Sequence, residues 1–179
     1  GTIPNEPARG YILGLAPVQI GYEYAETSSL TIDTSAVFNN IINVLQTGVT
    51  TNLIGHNEAT VRIADDFGVQ NIKGMLNISS PSGFTGPNSL PSAAMTILVD
   101  DLGDNRARNT SLGTKPDDSN WGFIAGLTPA QAPINYRYAD TSSLTIITSA
   151  VDGNFTNVYQ TGVSTKLIGH AAATVRIGD

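Results

Sequence analysis

The sequence predicts an all-β protein, an antiparallel β-sandwich built from tandem repeated modules, and three observations support this fold class. Segments such as SSLTIDT and ATVRIAD alternate apolar and polar residues with the period of two that a half-buried strand requires. A long stretch occurs twice in nearly the same form. Residues that form turns, chiefly Gly and Pro, separate the strand-like segments.

The composition limits the possible classes of function. Of the 179 residues, 40% are apolar, which is enough for a buried core, but only 13% are charged. The net charge of −6 does not suit binding to nucleic acid or an anionic membrane, so we expect neither partner. The absence of cysteine excludes disulfides and thiolate metal sites. No apolar run approaches the roughly 20 residues that span a bilayer, and the start GTIPNEP, without Met, predicts a processed form or a chain trimmed of a leader.

The N-terminal segment, residues 1–9, precedes the part of the chain that is visibly repeated. It contains two prolines and no clear apolar alternation. Two interpretations are open for it. It is either a disordered tail or an arm that leaves its own subunit and docks on a neighbour.

The first β module covers residues 10–66. Its strand candidates include SSLTIDT and ATVRIAD, and NVLQTGVTTNLI is interpreted as a hairpin that turns at Thr47 and Gly48. A helix over SAVFNNIINVLQ is the alternative there. The second copy reads SAVDGNFTNVYQ, whose Gly153 and Thr156 disfavour a helix, so we expect strand or irregular structure.

The second full β module covers residues 121–179 and repeats the first closely: YRYADTSSLTIITSAV follows YEYAETSSLTIDTSAV, and QTGVSTKLIGH follows QTGVTTNLIGH. The middle section, residues 67–120, is either a shortened third module plus a linker loop or a set of chance resemblances. Its AMTILVDDLG echoes ATVRIADDFG, whereas SSPSGFTGPNSLPSA and GDNRARNTSLGTKPDDSN read as loops. One module is too short to be a complete sandwich, so the modules form one continuous double sheet or two small sandwiches.

Acidic residues in DDLGDN form the candidate metal site. Asp100, Asp101 and Asp104 offer the hard oxygen ligands that calcium prefers, next to a glycine. The order of residues is not that of an EF-hand. Solvated acids at the end of a strand are the alternative, and no other cofactor is expected.

Other candidate residues have a structural interpretation beside the functional one. His56 and His170 occupy equivalent places but lack further ligands at a spacing that suits zinc. Two tyrosine pairs could stack on sugar rings or pack in the core; they are Tyr22 with Tyr24 and Tyr136 with Tyr138. Three sequons start at Asn77, Asn109 and Asn154. No serine carries a nucleophile motif, so we predict that the protein is not an enzyme.

Repetition without a catalytic motif favours a structural role. Edge strands rich in Thr and Val can pair with another chain, and repeated modules extend a surface or a filament. We therefore expect a self-assembling structural protein of an extracellular filament or surface layer, located outside the cell or on its surface, whose partners are copies of itself. The alternatives are a carbohydrate-binding or adhesive module that recognises glycans, and a viral decoration or fibre subunit.

Overall fold

The computed structural model describes residues 1–35, 38–80, 94–129 and 132–178. These residues form strands and one short 3₁₀ turn, Tyr138–Asp140, so the all-β class is confirmed. The strands are β1 (Thr2–Ile3), β2 (Glu6–Ile12), β3 (Ile20–Glu23), β4 (Ser29–Asp33), β5 (Ile41–Val44), β6 (Thr50–Ile54), β7 (Thr60–Ile63), β8 (Leu76–Ser79), β9 (Met95–Asp100), β10 (Asn109–Lys115), β11 (Asp118–Ala125), β12 (Ile134–Arg137), β13 (Thr141–Ile147), β14 (Asn154–Val158), β15 (Ser164–Ile168) and β16 (Ala173–Ile177).

The strands form three sheets. The N-terminal sheet has the order β1-β2-β3 and is antiparallel. The eight-stranded sheet has the order β16-β14-β10-β11-β12-β8-β6-β4, and the five-stranded sheet has the order β15-β13-β9-β7-β5. All neighbouring strands of the five-stranded sheet are parallel, so the predicted antiparallel arrangement is wrong there.

The path of the chain explains the parallel pairing. From β4 to β9, and again from β12 to β16, successive strands alternate between the eight-stranded and the five-stranded sheets. A strand therefore pairs with the strand after next, as β4 does with β6 and β5 with β7. The hairpin predicted at Thr47 and Gly48 is wrong for the same reason, since β5 and β6 lie in different sheets.

The apolar side chains of both larger sheets form one core. Leu53 and Leu76 enter it from the eight-stranded sheet, and Val61, Ile97 and Leu144 enter it from the five-stranded sheet. These are the inward positions of the alternating pattern, with polar residues between them on the outer faces. The predicted period of two therefore places the inward residues of β4 and β7 on the correct side of each of these two strands.

A ladder of asparagines fixes the register on the outer face of the eight-stranded sheet. Asn135 Nδ2 donates to Asn77 Oδ1 at 2.8 Å, and Asn77 Nδ2 donates to Asn52 Oδ1 at 2.9 Å. These residues are direct partners on β12, β8 and β6. Because a shift of one residue would break every step, the ladder specifies the parallel alignment.

Residues 1–9, for which the sequence suggests a tail or a docking arm, are folded onto their own chain as β1 and part of β2. The Gly1 amino group donates to the Tyr11 carbonyl oxygen at 3.0 Å. The Thr2 hydroxyl lies 2.7 Å from the Tyr24 hydroxyl, and Thr114 and Tyr138 make the same contact at 2.8 Å. The repeat therefore extends further towards the N terminus than the strongest sequence match, with GTIP equivalent to GTKP.

The middle section continues the alternating path with β8 and β9. Strand β9 pairs in parallel with β7. The turn after β7 and the turn after β9, whose sequences resemble each other, therefore lie side by side. In each turn an aspartate accepts a backbone hydrogen bond two residues on: Phe67 N donates to Asp65 Oδ1 at 2.8 Å, and Leu102 N donates to Asp100 Oδ1 at 3.0 Å.

Candidate functional site: the two uncovered ends

The three aspartates of the predicted calcium site bind different protein groups. Asp100 caps its own turn, as described above, and Asp104 accepts a short ion-paired hydrogen bond from Arg108 Nε. Asp101 Oδ1 accepts from Val69 N at 3.1 Å and from Gln70 Nε2 at 3.0 Å. Over the described ranges, no group of three His, Cys, Asp or Glu side chains could hold a metal ion. The calcium site therefore gains no geometric support.

Asp101 is a buried carboxyl group in a structural role. It joins the turn after β7 to the turn after β9, and its Oδ2 is buried without a hydrogen-bond partner. Burial raises the pKa of Asp101 to about 6, although the hydrogen bonds from Val69 and Gln70 act in the opposite direction.

Neither histidine lies in a catalytic arrangement among the described residues. His56 Nε2 lies 2.7 Å from Asp33 Oδ1 in a surface contact between the ends of β6 and β4. The residue equivalent to Asp33 beside His170 is Ile147, and His170 is exposed after β15. The two histidines thus share a sequence position but not an environment.

The tyrosine pairs serve packing. The rings of Tyr22 and Tyr24 meet edge to face with centroids 5.6 Å apart, and those of Tyr136 and Tyr138 do so at 5.7 Å. A Cβ atom at Gly48 would lie 2.5 Å from the Tyr24 ring, so that glycine is required by close packing. Tyr136 is fully buried, which raises its pKa and leaves no face for a sugar.

The sequons differ in exposure. Asn154 is buried, and its Nδ2 donates to the carbonyl oxygens of Ser149 and Val151. Asn77 belongs to the asparagine ladder. Asn109 is exposed at the start of β10. Asn109 is thus the one of the three sequon asparagines that is exposed and is not held in side-chain hydrogen bonds of the kind that Asn77 and Asn154 make.

Both ends of the stacked strands are uncovered. The front end consists of β3, β4 and β5, each of which is the last strand of its sheet on that side. The back end consists of β15 and β16, which are the last strands on the other side. In the part of the chain that the structure describes, no strand pairs with their outer edges.

The front end exposes residues whose identical counterparts are buried in the second module. Ile20 is 42% exposed, whereas Ile134 is 0% exposed. Further pairs in which the first residue is partly or fully exposed and the second is buried are Ile12 and Ile124, Leu15 and Leu127, Tyr22 and Tyr136, Leu30 and Leu144, Ile32 and Ile146, and Val44 and Val158. The difference arises because β8, β9 and β10 pair with β12, β13 and β14 in the second module.

The back end shows the same contrast in reverse. Ile177 is 81% exposed, whereas its counterpart Ile63 is 0% exposed. Val175 and Val61 differ in the same way. Here the first module is covered because β8 pairs with β6 and β9 pairs with β7. Each end therefore presents an apolar surface of a kind that is buried elsewhere in the same chain.

A groove runs along the front end between the N-terminal sheet and β4 and β5. It has a volume of about 400 Å³. Its walls include Leu13, Leu15, Tyr22, Leu30 and Val44. The position corresponds to the one that Leu112 of β10 fills beside Val158 in the second module.

The strands at the two ends carry charged side chains of different sign. Residues 1–35 contain four acidic side chains and one basic one, since Glu6, Glu23, Glu26 and Asp33 are opposed only by Arg9. Strands β15 and β16 of the back end carry Lys166 and Arg176, while Asp152 accepts from Ala172 N at 2.9 Å just before β16 and Asp179 ends the sequence. The exposed strands of the back end therefore present basic side chains, whereas the strands of the front end present acidic ones.

Comparison with known proteins finds no family model, curated protein or solved structure that matches this chain. Within the described ranges, helices that could cross a membrane are not found. The two ends were not identified by sequence reasoning. The available signal was that a middle section separates the two copies, and its strands β8, β9 and β10 pair with the second copy.

Proposed function

We propose that the protein is a non-enzymatic structural protein whose copies join end to end, the back end of one copy meeting the front end of the next. Such a contact is heterologous, because it joins two different surfaces, and it therefore propagates into an open filament or layer. The charge-poor composition, rich in Thr, Asn and Gly, fits a filament or surface layer outside the cell.

The exposure of identical residues is the single observation that supports this proposal. The chain itself buries one copy of each of these apolar residues and leaves the other copy partly or fully exposed at an end. Long apolar edges with unpaired backbone groups promote association with another sheet. Contacts of Lys166 and Arg176 on the back end with acidic side chains of the front end favour the contact between unlike ends over a contact between like ends.

The test is a measurement of size combined with electron microscopy. Light scattering of the purified chain at increasing concentration should show growth beyond the monomer, and micrographs should show linear or layered assemblies. A chain that stays monomeric at its highest soluble concentration would overturn the proposal. If such a monomer bound a glycan, the carbohydrate-binding alternative would replace it.

A matched pair of variants assigns the growth to the ends. Ile177→Lys places a charge on the exposed apolar back end and should prevent assembly without unfolding the chain, since the residue is 81% exposed. Phe67→Lys makes the same change at an exposed apolar residue in the turn after β7. Assembly that survives Ile177→Lys, or is lost equally with Phe67→Lys, would argue against the back end as the contact.

A further inference from the structure

Resting on the proposed end-to-end contact, we propose its strand register: β16 of one copy pairs in parallel with β4 of the next, and β15 pairs in parallel with β3. Val175 then lies beside Leu30 and Ile177 beside Ile32. Leu167 lies beside Tyr22. The occupant of the front end is accordingly the back end of a second copy of this chain.

The register follows from the way in which the chain stacks on itself. Strand β9 has one neighbour on each side: Ile97 is the partner of Val61 on β7 and of Leu144 on β13. Val99 likewise joins Ile63 to Ile146. The counterparts of Val61 and Ile63 are Val175 and Ile177 on β16, and the counterparts of Leu144 and Ile146 are Leu30 and Ile32 on β4. Both surfaces are therefore shaped for the same intervening strand.

The second strand pair follows in the same way from β8. Ile78 is the partner of Leu53 on β6 and of Tyr136 on β12. Their counterparts are Leu167 on β15 and Tyr22 on β3.

Parallel strands repeat at a constant spacing of roughly 4.8 Å, so two surfaces that fit the same strand can also pair with each other in that register. All pairings in this derivation are parallel, which leaves a single orientation for the second copy.

The outer faces of the proposed contact are compatible in charge. Arg176 lies beside Thr31 and diagonal to Asp33, and Lys166 lies beside Gly21 and diagonal to Glu23. Each of these two basic residues thus has an acidic residue of the front end on the same face, two residues beyond its direct partner on the neighbouring strand. The apolar residues meet on the opposite, inward face, as they do within the chain.

Cysteine cross-linking tests the register directly, because the chain contains no cysteine of its own. Thr31→Cys and Arg176→Cys are single substitutions at exposed positions that are direct partners in the proposed register. Neighbouring strands hold such residues within the distance that a disulfide spans. After mild oxidation, a mixture of the two variants should form linked dimers, and the double variant should form a ladder of linked oligomers.

The control shifts the pairing by two residues on the same face. A mixture of Ser29→Cys and Arg176→Cys should cross-link at least several-fold less, and each single variant alone should give few linked dimers. If assemblies form but the Ser29 pair or the like pairs dominate, the register is wrong while the proposed function stands. If none of the variants nor the unmodified chain associates, the proposed function itself fails and the register fails with it.

Discussion

The two modules have nearly the same sequence but different surroundings, and this difference shows that burial is set by the neighbouring strand. In the second module, Leu144 and Ile146 are covered by β9 on one side and β15 on the other. In the first module, Leu30 and Ile32 on β4 have only β6. The same residues are therefore fully buried in the second module and only partly buried in the first.

The modules also occupy opposite sheets. Strand β4 belongs to the eight-stranded sheet, while its counterpart β13 belongs to the five-stranded sheet. The alternating path explains this exchange, because the sheet that a strand enters depends on the sheet that holds the strand before it. A repeat that fits either sheet is compatible with the end-to-end assembly proposed above.

The largest expected effect separates two isoleucines of the ATVRI sequence. Ile63→Ala should lower the free energy of unfolding by roughly 2–5 kcal/mol, because it leaves a cavity in the core. Ile177→Ala should change it by less than about 0.5 kcal/mol, because that side chain is largely exposed. Urea unfolding of both variants at low protein concentration measures the difference. Equal costs would mean that the two modules are equally covered within one chain.

The next effect concerns Asp101, which lies at the end of the covering strand β9. Its pKa is raised from 3.8 to about 6 in the folded chain, so between these values the native state holds a proton that the unfolded state has lost. Stability from this group is therefore present at low pH and is lost as the pH rises through about 6. The shift corresponds to about 3 kcal/mol at most.

Asp101→Asn is the matched variant for that measurement. Its amide oxygen can still accept from Val69 N, but the side chain no longer titrates. The difference in melting temperature between the variant and the unmodified chain should change across pH 4 to 7 in favour of the variant. A difference that is constant over this range would contradict the assigned pKa and its cause.

The alternating pattern predicted the direction of side chains but not the direction of strands. Parallel and antiparallel strands have the same period of two, so TVRI in β7 identifies Val61 and Ile63 as inward without naming their neighbours. The parallel arrangement depends on contacts between residues far apart in the chain, as the Asn52, Asn77 and Asn135 ladder shows. The turn signal at Gly48 is local and does not indicate which distant strands pair in parallel.

The uncovered ends could not be predicted because a covering strand was hidden by its composition. Residues 109–115, NTSLGTK, contain one large apolar residue, Leu112, and were interpreted as part of a loop. In the structure they form β10, which pairs with β14 in parallel and with β11 in antiparallel fashion. This polar segment forms a strand because its backbone pairs on both sides, and Thr110 and Leu112 provide its buried side chains.

The smallest of the three effects tests whether that strand is what distinguishes the modules. In the alignment, Gly1 corresponds to Gly113, so the sequence Asn-Thr-Ser-Leu added before Gly1 reproduces residues 109–112 of β10. The added leucine should enter the front groove beside Val44, as Leu112 lies beside Val158. Burial of one leucine should raise the free energy of unfolding by about 1.5–3 kcal/mol.

A control separates burial of the leucine from the removal of a charge at the N terminus. Burial lowers the pKa of the Gly1 amino group, so any extension relieves the cost of a half-buried ammonium. An Asn-Thr-Ser-Lys extension provides that relief without an apolar side chain. Thermal melts should rank the leucine extension above the lysine extension, and the lysine extension above the unmodified chain by no more than this relief. If both extensions stabilise equally, the groove does not accept a strand like β10. The difference in burial between the two modules would then not be explained by β10.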